Sequence, residues 1–79
     1  APSEDRRQEL IKQAKKYAED GKVAVRNIRK DYNNKAKKDD TLSEDVMHDL
    51  LDKIQKATDD STKKIDDILQ IKIKDIETI

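Results

Sequence analysis

Three columns of apolar and small residues recur every seven positions in the first half of this chain. They are Leu10, Tyr17 and Ala24; Ile11, Ala18, Val25 and Tyr32; and Ala14, Gly21 and Ile28. Seven residues make about two helical turns, so each column runs along one line of an α-helix. Together the columns form a stripe wider than a two-position coiled-coil seam, as expected for a helix that touches two neighbours. The helical spacing continues through Met47, Leu50, Leu51, Ile54, Ala57, Ser61, Ile65, Ile68, Leu69 and Ile76. No β-rich segment, repeat unit or Gly/Ser linker interrupts it. The fold class is therefore all-α, two long antiparallel helices forming a hairpin.

Local signals mark the ends. Ala1-Pro2 reads as an extended lead-in, because the residue before proline avoids the helical region. Ser3 suits an N-cap, with Glu4 and Asp5 complementing the positive end of the helix dipole. Asn33-Asn34 and residues 35–40 read as a fraying end and turn. The second helix starts at Thr41, in a capping box with Glu44, or at Ser43 before Glu44-Asp45. The expected domain is a single hairpin over residues 1–79: a helix at about 3–37, a turn at about 38–42 and a helix at about 43–78. Helices of roughly 35 residues span on the order of 50 Å.

Charged residues make up 46% of the 79 residues, with one Gly, one Pro and two aromatics. Such a composition is compatible with disorder, but periodic apolar columns among good helix formers favour a charged helical rod. The absence of cysteine excludes disulfides and thiolate chemistry. Apolar runs are too short for a membrane span or a secretory signal. The formal net charge of zero hides an asymmetry. Residues 1–38 carry a net +6 and residues 39–79 a net −6. Two antiparallel helices would attract each other through that difference, and the first would offer a basic face to an anionic partner.

The wide stripe on the first helix, and isoleucines at 65, 68, 71, 73, 76 and 79 on several sides of the second, exceed what two helices bury in each other. A third surface must cover them. Gly21 costs the first helix about 1 kcal/mol relative to alanine. Its expected reason is close approach of another helix.

Lys15, Lys22, Arg26 and Arg29 fall within about a 60° arc beside the stripe. Glu9, Asp20, Asn27 and Asp31 fall on the opposite flank. Two arginines three apart, held beside a packed seam, suit phosphate recognition, with the lysines as point charges. The bland alternative pairs these cations with the acidic second helix. Arg7 projects toward the stripe, where its stem packs while its head meets an acid. Asp45, His48, Asp49 and Asp52 share a face, but without a second His or Cys they do not make a metal site. Asp59-Asp60 and Asp66-Asp67 read as exposed acid pairs. Thr58 and Ser61 are expected in the packed region rather than as nucleophiles. No nucleophile–base arrangement, Gly-rich phosphate loop or cleft is evident, so neither enzyme activity nor a cofactor is expected.

Residues 23–31, Val-Ala-Val-Arg-Asn-Ile-Arg-Lys-Asp, closely resemble the signature of ribosome recycling factors. Further matches occur in order: Ser3-Glu4-Asp5-Arg6-Arg7, Leu42-Ser43-Glu44-Asp45 and Ile54-Gln55-Lys56-Ala57-Thr58-Asp59. Gly21 in the stripe and Lys30, where a third arginine is common, depart from the pattern. The resemblance implies a three-helix bundle with a β-domain inserted after its first helix. This chain matches the second and third bundle helices. The missing helix would leave an open face, completed in the isolated chain by self-association as an antiparallel four-helix dimer.

The resemblance also implies that Arg26 and Arg29 contact large-subunit ribosomal RNA, with Lys22, Lys15 and the domain-junction Arg6 as further candidates. The partners it implies are the ribosome and a translocation GTPase of the elongation factor G type, which together disassemble post-termination ribosomes. The compartment would be bacterial cytoplasm or an organelle, plastid or mitochondrial, with no membrane partner. The competing function is a generic helical-hairpin module that binds another protein through its apolar stripe.

Overall fold

A computed structural model of the chain describes residues 3–78. Two helices account for nearly all of them: α1, Glu4–Lys38, and α2, Glu44–Glu77. The lead-in expected at Ala1-Pro2, and Ile79 of the second stripe, lie outside the described residues.

Each helix begins on a serine. The Ser3 hydroxyl accepts a hydrogen bond from the Arg6 backbone N–H at 3.2 Å, and the Ser43 hydroxyl accepts one from the Val46 N–H at 3.2 Å. These satisfy donors that the first helical turn leaves unpaired. Glu4, Asp5, Glu44 and Asp45 occupy the first turns, while Lys35, Lys37, Lys38 and Lys74 occupy the last ones, all matching the helix dipoles. Ser43, not Thr41, is thus the second cap. Thr41 turns back instead, donating from its N–H (2.9 Å) and its hydroxyl to the Asp39 carboxylate. That double contact closes the connection between the helices and holds the Asp39 carboxyl below the usual aspartate range, the hydroxyl bond contributing most.

The hairpin is a rod of 59 × 15 × 9 Å with a radius of gyration of 18.1 Å. A compact chain of this length would have a radius near 12 Å. Its exposed surface is 6262 Å², against roughly 4,900 Å² for a compact chain of this mass. Only Ile11, Ala36, Thr58 and Ile76 are buried among the described residues, and none of these residues is wholly removed from solvent. The Thr58 hydroxyl donates to the Ile54 carbonyl at 2.8 Å, which explains a buried polar residue in the seam. Ser61, expected in the packed region, is exposed.

Most of the remaining apolar surface lies together, Val23 (43% exposed) on the outer side of α1 being an exception. Tyr17 (71% exposed), Ile28 (54%) and Tyr32 on α1, with Leu50, Ile68 and Ile71 (61%) on α2, fall on the same side of the hairpin. Half-buried Gly21 lies at the seam, where a Cβ would meet Ile65 Cδ1 of α2 at 3.5 Å. That is ordinary van der Waals contact. The helices do not approach so closely there that only glycine fits.

Candidate nucleic-acid interface

The predicted ridge lies along α1, with Lys15, Lys22 and Arg26 on the edge of the rod away from the open apolar face and half-buried Arg29 between that edge and the groove. Around the helix axis the ridge and that face are separated by roughly 130°. Arg29, Lys22, Lys15 and Arg26 follow one another around the arc and span about 21 Å along the axis. Arg6 is not part of this group. It lies about 30 Å from Arg26 along the axis and on the opposite flank, where its guanidinium meets Glu9 at 3.1 Å.

The four ridge cations differ in what already holds them. Lys22 forms an ion pair with Asp66 across the hairpin. The pairing of lysine with the acidic helix therefore occurs at this position. Arg26 bonds Glu19 at 3.0 Å, two turns back on its own helix. Arg29 and Lys15 make no ion pair or side-chain hydrogen bond among the described residues. Both ion pairs are partly exposed, and pairs of that kind contribute only about 0–1 kcal/mol. A phosphate can therefore compete for Arg26 without a large penalty.

Sequence reasoning missed Glu19 and Asp66 as the partners that pre-orient Arg26 and Lys22. It also drew the arc narrowly. Lys30 and Lys37 lie just past its border, and Asn33 lies within it, one turn beyond Arg29, with its Oδ1 shielded from solvent and without a hydrogen bond. Counting every cation within about 100° rather than 60° would have found the lysines.

The other singled-out residues have local roles. Arg7 is half-buried, with its guanidinium 3.8 Å from Glu4. His48 Nε2 lies 3.7 Å from Glu44 on an exposed surface. Asp59 accepts a hydrogen bond from Gln55 at 2.9 Å.

On the apolar side, a groove of about 690 Å³ runs between the helices near the turn. Ile28, Tyr32, Leu50, Ile54 and Ala57 line it, and Arg29 borders it. Lys35 Nζ sits 5.5 Å over the Tyr32 ring at its rim. Among the described residues, no helix is long and apolar enough to cross a membrane.

A charged two-helix rod with a sign-sorted ridge on one edge and an open apolar face on another defines a helical docking element, built to be covered on one side. Comparison with known proteins specifies which kind. The family model described as ribosome recycling factor matches residues 1–76, and the chain belongs to that family. Among its relatives is the ribosome-recycling factor of a Picosynechococcus strain, 54% identical over 98% of this chain and 44% of that protein. That of Staphylococcus epidermidis is 46% identical over all of this chain and 45% of its own length. That of Borrelia hermsii is 51% identical over 91% of this chain and 41% of its own. The chain spans less than half the length of these curated relatives, all of them bacterial. No solved structure matches it.

Proposed function

We propose that this hairpin binds large-subunit ribosomal RNA through Arg26 and Arg29, supported by Lys22 and Lys15, while Arg6, on the opposite flank, stays outside this interface. One observation carries the reading. In a chain of the recycling-factor family, Arg26 stands on the edge of the rod away from the apolar face, while Arg29 borders the groove on that face. RNA and a packing partner therefore need not compete for Arg26, Lys22 or Lys15, and meet only at Arg29. Arginine forks onto phosphate oxygens and stacks on bases, and a stiff helix holds both guanidinium groups at fixed spacing.

In a full-length recycling factor, as the family resemblance implies, a further bundle helix would cover the apolar face. In the isolated chain, self-association does so. The whole factor would act with a translocation GTPase of the elongation factor G type. That partner hydrolyses GTP, and the anchored rod converts its motion into disruption of contacts between the ribosomal subunits. On this reading the chain is not an enzyme and needs no cofactor. Its place is bacterial cytoplasm or an organelle.

A second reading, a helical module that pairs with another protein, draws on the exposed Tyr17, Ile28 and Ile71. Salt separates the two. RNA binding should weaken by roughly one log unit per log of salt for each phosphate contact, whereas apolar helix pairing is nearly indifferent to salt. The test is affinity for purified large subunits across a salt series, for the parent chain and for Arg26→Ala and Arg29→Ala separately. Each substitution should flatten the slope by about one unit. Unchanged slopes would remove these arginines from the interface.

A further inference from the structure

We propose, resting on the RNA reading above, that Asn33 is an uncharged contact of the same ridge. Its side-chain amide donates from Nδ2 to an oxygen of the RNA, one turn beyond Arg29.

Position is the first ground. At about 100° per residue, Asn33 falls inside the arc that holds Arg29, Lys22, Lys15 and Arg26. It follows Lys15 by eighteen residues, about five whole turns, so the two lie on one line along α1. It stands about 6 Å along the axis from Arg29 and about 10 Å from Arg26. Its surface neighbours three and four positions away are Arg29, Lys30, Ala36 and Lys37, three of them cations. Asn33 does not line the apolar groove, although Tyr32, Lys35 and Ala36 do. About 130° of helix surface separates it from the apolar face. A helix laid on that face would leave Asn33 accessible.

The second ground is that the hairpin gives the amide no partner. Asn33 is half-buried, whereas Asn27 and Asn34 on the same helix are exposed. Its Oδ1 is shielded from solvent and accepts no hydrogen bond among the described residues. Its Nδ2 is open to solvent and makes no hydrogen bond there either. Buried polar atoms are nearly always paired, and an unpaired one lowers stability. Asparagine is also a poorer helix former than alanine. The fold therefore gains nothing from this side chain, which stands among cations on the edge assigned to RNA. Its orientation suits an electron-rich partner, with the acceptor oxygen turned inward and the donor N–H groups outward.

An amide carries no charge. It adds a directional hydrogen bond without releasing counterions, so its signature differs from that of the arginines. Losing it lowers affinity and leaves the salt dependence alone.

Asn33→Ala tests this, because it removes both amide atoms and adds no bulk against the RNA. Its urea midpoint, followed by circular dichroism at fixed chain concentration, should equal or exceed the parent's. Its affinity for purified large subunits at low salt should fall by about two- to tenfold, the worth of one hydrogen bond. Its salt slope should match the parent's, while Arg26→Ala alongside flattens the slope. Asn33→Asp, similar in shape but negative and without a donor, should bind more weakly still. A residue that only supported the helix would lose folding and binding together.

Unchanged affinity of Asn33→Ala would overturn the proposal, as would a lowered midpoint that accounts for the lost binding. If Arg26→Ala still flattens the slope in either case, the RNA reading stands without Asn33. No binding by the helical parent, or a slope indifferent to Arg26→Ala, removes the RNA reading and this contact with it.

Discussion

Replacing Gly21 with alanine should stabilise the hairpin. Glycine inside a helix costs about 1 kcal/mol relative to alanine, because it orders the most flexible backbone and packs nothing. The usual reason to keep it is a neighbour too close for a methyl group. Here the added Cβ would lie 3.5 Å from Ile65 Cδ1. That distance is attractive rather than repulsive, and the contact ends on a flexible side-chain tip. Gly21 has no positive φ that an L side chain would resist. The propensity gain should therefore survive almost whole, at about 1 kcal/mol. In a chain of this size that raises Tm by roughly 4–8 °C. It should also move a urea midpoint up by on the order of 1 M. The assay is helicity by circular dichroism against urea, at one fixed chain concentration so that association does not shift the midpoint. A midpoint lowered by the methyl group would refute the reasoning, showing a helix approach closer than the Gly21–Ile65 spacing allows.

Other predictions follow from the same contacts. Ser43→Ala should cost about 1 kcal/mol in a urea titration, because the Val46 N–H loses its acceptor, whereas Thr41→Val should leave the second helix start capped. Glu19→Gln should tighten low-salt binding to large subunits by about two- to threefold, since Arg26 loses a competing carboxylate on a partly exposed surface. Asp39 gives a pH signature. Its folded-state carboxyl is held down by Thr41, so its contribution is fully present above the unfolded value of about 3.9 and is lost as pH falls through the lowered folded value. Thermal unfolding of Asp39→Asn and the parent should therefore differ at pH 6 and converge near pH 2. Equal stability at pH 6 would remove the turn contact from the account.

Much of the fold was legible because helical periodicity is a property of each helix alone. The columns through Leu10, Ile11 and Ala14 identify a helix and its stripe without knowledge of any partner. The excess of that stripe correctly signalled an uncovered face. What depends on how two helices meet was not legible. Lys22 finds Asp66, and Gly21 finds Ile65, only once the inter-helix level is set, which no single-helix pattern encodes. Arg26 finds Glu19 seven residues away, beyond the usual three- and four-residue pairs, because an arginine side chain bridges two turns. Ser61 keeps helical spacing with the core residues, yet it faces the open groove, because the stripe is wider than the one neighbouring helix. Thr41 and Ser43 offered rival caps with similar chemistry. Asp39 decided between them by engaging Thr41 within the turn.

The most direct test of the central claim is the affinity of the chain for isolated large ribosomal subunits at low and physiological salt, with the Arg26→Ala/Arg29→Ala variant beside it and helicity measured for both. Salt-sensitive binding that the equally helical variant loses is the predicted result. Binding that the variant retains in full, with the same salt slope, would contradict the claim that this ridge anchors the rod on RNA.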